Sequence, residues 1–312
     1  MPTTAEPIAA ETTALPTMRF FRSRVSAITD LTPSFRRFTF TGSDLADYGD
    51  PGFDQRVKVV FPTDAIGLEA MPTGDDWYTR WRELPEGERP PFRTYTTRRV
   101  RGHAGEIDID MVAHDVAGPA SVWIDRAVVG DEVLILAPTT AHTGVSYGID
   151  FVPPARTDSL LLAGDETAAP AIAVILEQLP VDATGVVVLE LPHPDDMAYL
   201  PHHPGFEYRI GARGDAERHS HLVPAVRAVA ARLVARGPGS AVEEVDIDAG
   251  ILWEVPRTAK GGAALKSAPL YAWLAGESAA IKTLRRHLVA ERGVDRRAVA
   301  FMGYWRLGRA EN

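Results

Sequence analysis

"SLLLAGDETAAPAIAVILEQL", residues 159–179, carries the clearest statement of architecture in this chain. An aliphatic run ends at Gly164. Ile172, Ile175, Leu176 and Leu179 then recur at helical spacing on one face. This reads as a buried strand, a glycine turn and a helix. The same rhythm returns in "GVVVLEL" (185–191), followed by "LVPAVRAVAARLVARG" (222–237) with Leu222, Val226, Val229 and Leu233 in register. It returns again in "LYAWLAG" (270–276) and "SAAIKTLRRHLVAERG" (278–293), with glycine stops at Gly237 and Gly293. Strand and helix in alternation predict βαβ units and a parallel sheet.

Upstream the pattern differs. "RFTFTG" (37–42), "QRVKVVFP" (55–62), "FRTYTTRRV" (92–100) and "EIDIDMVAH" (106–114) are short, alternating or β-branched runs, with Gly, Pro and Asp between them. They predict an antiparallel barrel or sandwich. A long loop with a helical turn is expected at 69–91. A single helix is expected at "GPASVWIDRAV" (118–128), because proline suits the first helical turn. The expected division is a mobile tail at 1–17, a β domain at 18–152 and an α/β domain at 157–312. Residues 240–268 have no clear place in the sheet and read as an insertion.

The chain has 312 residues, 45% hydrophobic, a formal net charge of −9 and no cysteine. That length suffices for two cores. The acidic balance argues against a nucleic-acid partner. Without cysteine there are no disulfides, thiolate-held clusters or thiol catalysis. The N-terminal "MPTTAEPIAAETTALPT" has no basic, apolar leader pattern, and no window approaches the roughly 18 apolar residues of a spanning helix. No membrane insertion and a cytoplasmic location are expected.

"RTYTTRR", residues 93–99, holds three arginines, a tyrosine and three threonines. Side chains two apart on a strand share a face, so Arg93 and Tyr95 belong together. Arginine clamps phosphate oxygens, tyrosine offers a flat face, and Thr96 adds a hydroxyl and an amide. The strand suits a nucleotide cofactor with a large ring; the plainer reading is a charged edge strand that deters aggregation. In "HDVAGPASVWIDRA" (114–127), Gly118 and Pro119 open a helix whose free N–H groups suit a phosphate, with Ser121 adding a hydroxyl. "LLLAGDETAAPA" (160–171) and "WLAGES" (273–278) place two turns where a nucleotide would cross strand ends, although G-x-G-x-x-G is absent. Gly164 would permit a tight turn there, and Thr167 would reach a phosphate or ring. "FMGYWRLG" (301–308) is expected to present Tyr304 and Trp305 to a ring and Arg306 to an acidic ligand, or else to be a last core strand. Arg213 and Arg218 are candidates to face a 2′-phosphate. His193, His202, His203, His219 and His221 read as solvated loop histidines, and no metal site is expected.

Taken in order, "RVKVVFP", "RTYTTR", "HDVAGPASVW", "LAGDETAAPAI", "LAGESAAIKTLRRHL" and "GYWRLG" resemble the siderophore-interacting protein family, FAD-dependent ferric-siderophore reductases of the ferredoxin–NADP reductase superfamily. The resemblance runs from about residue 18 to 308. It implies a six-stranded antiparallel FAD-binding barrel followed by an NAD(P)H domain with a parallel sheet. It implies that Arg93, Tyr95 and Thr96 line the flavin. It places Gly118, Pro119, Ala120 and Ser121 at the diphosphate, with His114 nearby. Gly164, Asp165, Glu166, Thr167, Gly276 and Glu277 would flank the nicotinamide path. Lys58 and Arg306 match basic positions for an anionic ferric siderophore; a third such position is not found. "APTTAHTG" (137–144) replaces the family's G-P-R-G-like turn, which leaves the closing flavin contacts open. The activity implied is hydride transfer from NADH or NADPH to FAD, then single electrons to Fe(III). The alternatives are a general flavin reductase of the same fold and a non-catalytic flavin- or siderophore-binding protein.

Overall fold

The computed structural model describes residues 15–113, 118–142, 148–234, 237 and 252–308. The first unit contains β1 (Met18–Asp30), β2 (Phe35–Thr41), β3 (Arg56–Val60), α1 (Trp77–Glu83), β4 (Phe92–Thr96), β5 (Arg99–Arg101), β6 (Glu106–Val112), α2 (Pro119–Arg126) and β7 (Glu132–Pro138). Its antiparallel strands lie in the order β4-β3-β7-β1-β2-β6-β5. The count is seven where six were expected. The reason is local: the chain leaves β3 and joins β6 within one run, 92–101, interrupted at Thr97 and Arg98. The Thr97 amide donates to Gln55 O at 3.1 Å and the Arg98 amide to Asp108 O at 2.9 Å. One bent strand thus forms both edges of the sheet and closes it, which leaves little exposed edge.

Alternation fills the barrel. Phe21, Phe38, Phe40, Val57, Val59, Phe61, Ile107, Ile109 and Ile135 are all buried in one cluster, which Trp123 of α2 plugs. The outer face has its own smaller cluster, where Trp81 of α1 packs with Phe92, Val60 and Leu134. Even the two aspartates of "EIDIDMV" are buried. Asp108 is clasped by Arg101, and Asp110 takes Arg37 Nε at 2.7 Å and the Tyr199 hydroxyl at 2.7 Å.

The second unit contains β8 (Arg156–Asp165), α3 (Ala169–Gln178), β9 (Gly185–Leu191), β10 (Phe206–Ala212), α4 (Leu222–Leu233), β11 (Trp253–Glu254), β12 (Ser267–Glu277), α5 (Ser278–Arg285) and β13 (Val299–Trp305). The strand order is β10-β9-β8-β12-β13-β11, parallel except for β11. Central strands covered on both faces read as continuous apolar runs, and Leu160–Ala163 and Val186–Leu189 are buried accordingly. Residues 240–268 are therefore not wholly outside the sheet: Trp253 and Glu254 pair with Met302 and Phe301 as an antiparallel edge. "FMGYW" is a strand of this sheet, so the C-terminal aromatics sit on an ordered element.

The two units are tied by polar and aromatic contacts. Trp273 Nε1 of β12 donates to Asp54 Oδ2 at 2.9 Å, just before β3. Asp196 accepts from the Ser34 amide at 2.9 Å and from the Ser34 hydroxyl at 2.7 Å. Arg98, beside β4, meets Glu177 of α3 at 2.5 Å. Phe35 stacks on Tyr199 with centroids 4.1 Å apart.

Candidate functional site

Pairing register fixes the faces of β4. Arg93 lies opposite Val59 and Tyr95 opposite Val57, so the two share a face. Tyr95 packs edge-on to Phe61 at 6.2 Å, and Phe61 also meets Trp123 of α2 at 5.1 Å. Tyr95 and Trp123 of α2 therefore pack against the same Phe61 ring. Burial holds the Tyr95 phenol above its ordinary range, partly offset by the Arg93 charge. Arg93 donates to Phe92 O at 2.8 Å. Thr96 is buried and sits across from Arg56.

Lys58 occupies the other face of the same ladder, opposite Thr94. Its Nζ lies 3.4 Å from Thr94 Oγ1 and 5.0 Å from the Phe92 ring centroid. At α2, Gly118 is the N-cap and Pro119 takes the first turn, with Ala120 buried and Ser121 half-buried. No side chain among the described residues caps this helix, and a Cβ at Gly118 would meet nothing within 4 Å. His114 lies outside the described residues.

The remaining expected residues gather at the carboxyl ends of β8, β12 and β13. Asp165 is fully buried there. It accepts the Thr167 amide at 3.0 Å, the Thr167 hydroxyl at 2.5 Å, the Glu277 amide at 2.8 Å and Trp305 Nε1 at 2.9 Å. Burial, and then the neighbouring Glu166 charge, push its carboxyl up to about 6 despite those donors. Gly276 adopts φ +146, and a Cβ there would stand 2.6 Å from Asp165 Oδ2. Glycine is required at this point by both conformation and space. Gly164 has a different purpose from the tight turn expected of it. It is the penultimate residue of β8, and a Cβ would strike Ala275 O at 2.2 Å. Thr167, expected to reach a ligand, spends its hydroxyl on Asp165.

Glu166 is also fully buried, 3.0 Å from Arg218 Nη1 and 3.3 Å from Arg213 Nη1. Glu277 caps α5 by accepting the Ala279 amide at 2.8 Å and the Ala280 amide at 3.1 Å. Tyr304 stacks on Trp253 at 5.5 Å and meets the Trp273 edge at 6.2 Å. Its hydroxyl is buried with no hydrogen-bond partner among the described residues. Trp305 lies under the Arg218 guanidinium at 5.1 Å. Arg306 is half-buried just beyond β13.

Two expectations need correction. His203 is not a solvated loop histidine: it is 5% exposed, and its Nε2 bonds to Pro180 O at 3.0 Å. Both ring nitrogens of His219 and Nε2 of His221 are buried without a hydrogen-bond partner among the described residues. Residues that the sequence did not single out also shape the junction. Asp54 joins the barrel to Trp273. Arg56 pairs with Asp150 at 2.8 Å and lies 4.3 Å over the Trp253 ring. Lone acids and tryptophans far apart in sequence give no signal of such pairing.

An antiparallel barrel joined to a parallel α/β sheet is the two-domain frame of a flavin-binding protein, and two family models match its halves. Residues 24–142 match the model of the siderophore-interacting FAD-binding domain and residues 157–308 that of the siderophore-interacting protein. The chain belongs to the siderophore-interacting protein family. It is 32% identical over 293 residues to an uncharacterized protein of Mycobacterium tuberculosis, covering 92% of this chain and 90% of that one. It is 32% identical over 166 residues to the ferric vibriobactin reductase ViuB of Vibrio cholerae, covering 53% of this chain and 56% of that one. The structure resembles the siderophore-interacting protein SipS from Aeromonas hydrophila, with a TM-score of 0.66 at 27% identity over 95% of this chain and 94% of that one.

Proposed function

We propose that this protein is an NAD(P)H-dependent ferric-siderophore reductase. The observation that carries the reading is the placement of Arg93 and Tyr95 on one face of β4, with Tyr95 and Trp123 of the uncapped helix α2 packed on the same Phe61 ring. An FAD has matching groups on both ends: a fixed cation and uncapped amides for the diphosphate, and a half-buried phenol for the ring. Arg93 would clamp a phosphate, Tyr95 and Thr96 would line the ring, and the amides of Ala120 and Ser121 would face the diphosphate. When bound, FAD supplies the conversion of a two-electron hydride into single electrons for Fe(III).

The chain's own residues bind and orient. The carboxyl ends of β8 and β12 would receive the nicotinamide nucleotide, since open α/β sheets bind ligands at that edge. The junction through Asp54, Trp273, Arg56 and Trp253 holds the two halves in one orientation. Lys58 and Arg306 would attract an anionic ferric chelate to a chain of net charge −9. The ferric vibriobactin reductase relative supports this substrate class over a generic electron acceptor.

The test is purified protein with NADH or NADPH, a ferric siderophore and a ferrous chelator. The reading expects the flavin absorbance to bleach and the chelated Fe(II) to accumulate. Bleaching with quinone reduction but no Fe(II) would instead identify a general flavin reductase. A protein that binds no flavin, or whose flavin no nucleotide bleaches, would be a binding protein.

A further inference from the structure

Dinucleotide-binding sheets ordinarily seat a phosphate on the bare amides at a helix start. Among the described residues, amides at the starts of α3, α4 and α5 along the carboxyl edge are taken by the chain's own groups. After β8, the Thr167 amide goes to Asp165 Oδ1 at 3.0 Å, the Ala168 amide to Asp165 O at 3.0 Å and the Ala169 amide to Glu166 O at 3.4 Å; Pro170 has no N–H. At α4, Glu190 accepts the His219 amide at 2.6 Å, the His221 amide at 2.8 Å and the Leu222 amide at 3.1 Å. At α5, Glu277 takes the Ala279 and Ala280 amides. Three carboxylates thus stand where a phosphate would bind, and none of these N–H groups remains for a ligand.

The same bonds remove the usual acidic reader of the ribose. Glu190, near the end of β9, is 0% exposed, and both of its oxygens are spent on backbone amides. Anion recognition at this edge must come from side chains. Arg213 is held between Glu166 at 3.3 Å and Glu190 at 3.8 Å, with its side chain 9% exposed. Arg218 differs. One nitrogen, Nη1, meets Glu166 at 3.0 Å, its guanidinium lies over the Trp305 ring, and its side chain is 29% exposed. His219, next to it, has φ +67, a conformation uncommon outside glycine, pinned by the bond to Glu190. Its two ring nitrogens are buried without hydrogen-bond partners among the described residues, and Nε2 is 3.7 Å from Glu277. The positive-φ backbone thus holds a ring without hydrogen bonds next in sequence to a braced guanidinium.

We infer that Arg218, with His219 beside it, seats a phosphate group of the nicotinamide nucleotide, and that Arg213 does not. The inference rests on the nucleotide site proposed above. Glu166 braces Arg218 so that its remaining N–H groups are fixed, and Trp305 supports its face.

Calorimetric titration of the flavin-loaded protein with adenosine 2′,5′-bisphosphate, 5′-ADP and 5′-AMP tests it without any iron substrate. Arg218→Ala is expected to weaken at least one of the first two by about tenfold or more, the loss typical of a charge-assisted hydrogen bond. Selective loss for the 2′,5′-bisphosphate identifies the 2′-phosphate as the occupant. Equal loss for it and for 5′-ADP identifies the 5′-phosphate end. Arg218→Lys should recover part of the affinity, because the charge returns without the fork. Unchanged binding of all three in Arg218→Ala, or no binding by the natural protein, overturns the inference. If fragments bind as expected but no ferric siderophore is reduced, the phosphate seat stands and the reductase reading falls.

Discussion

The indole N–H of Trp305 donates to Asp165 Oδ2 at 2.9 Å across 140 residues of chain. It fastens the end of β13 to the end of β8, where the Glu277 amide and the Thr167 hydroxyl converge on the same carboxylate. Trp305→Phe keeps the ring and removes the donor. A buried carboxylate then loses one of its bonds, which should cost about 1.5–3 kcal/mol. Urea unfolding would show this as a lower midpoint. An unchanged midpoint would mean that Asp165 does not depend on Trp305.

Asp54 makes a pH prediction. Burial, and then the charge of Asp150, push its carboxyl up to about 6 from an ordinary value of 3.8. The folded state therefore holds a proton that the unfolded state has released between about pH 4 and 6. Stability from this group is present below the ordinary value and is lost as pH rises through about 6. Asp54→Asn removes the titration while sacrificing an acceptor for Trp273. Measured against the natural protein, the variant should gain relative stability from pH 4 to 6.5, by up to roughly 3 kcal/mol. A stability difference flat across that range would contradict the assignment.

Arg93→Ala should lose a charge-assisted phosphate contact and weaken FAD binding by about tenfold or more. Fluorescence titration of the flavin-free protein reads it directly. Binding as tight as that of the natural protein would remove Arg93 from the site.

Lys58→Ala and Arg306→Ala should each raise the KM for a ferric siderophore by roughly threefold to tenfold, with FAD content and oxidation of NAD(P)H by a neutral acceptor nearly unchanged. Added salt should imitate the substitutions, since exposed charges are screened beyond about 10 Å at 0.1 M. Identical kinetics across several siderophores would exclude a positive patch at these positions.

Both sheets were legible because burial leaves simple marks. Continuous aliphatic runs such as Leu160–Leu162 and Val186–Val188 can lie only in covered central strands, and alternation such as Phe38 and Phe40 can line only one face. β10, "FEYRIGA", was not legible: at the sheet edge it keeps polar residues and alternates weakly. β11 has two residues and is defined by its partner. At the site, same-face logic placed Arg93 with Tyr95. It could not show that Asp165, Glu166 and Glu277 are buried and bonded within the protein. Their partners, Trp305, Arg213, Arg218 and the α5 amides, depend on how strand ends meet. The capping role of Glu190 was invisible for the same reason, since its partners lie about 30 residues away in a turn that only the fold brings back.

The central claim is that this chain passes electrons from a nicotinamide nucleotide through FAD to siderophore-bound iron. The most direct measurement is an anaerobic one. The flavin-loaded protein is reduced with one equivalent of NADH or NADPH, and a ferric siderophore is added while the flavin absorbance and chelated Fe(II) are followed together. The account predicts loss of the flavin band with the nucleotide, its return on adding the siderophore, and about two Fe(II) per flavin reoxidised, as one hydride carries two electrons. A flavin that stays reduced in the presence of the ferric siderophore, with no Fe(II) formed, would contradict it.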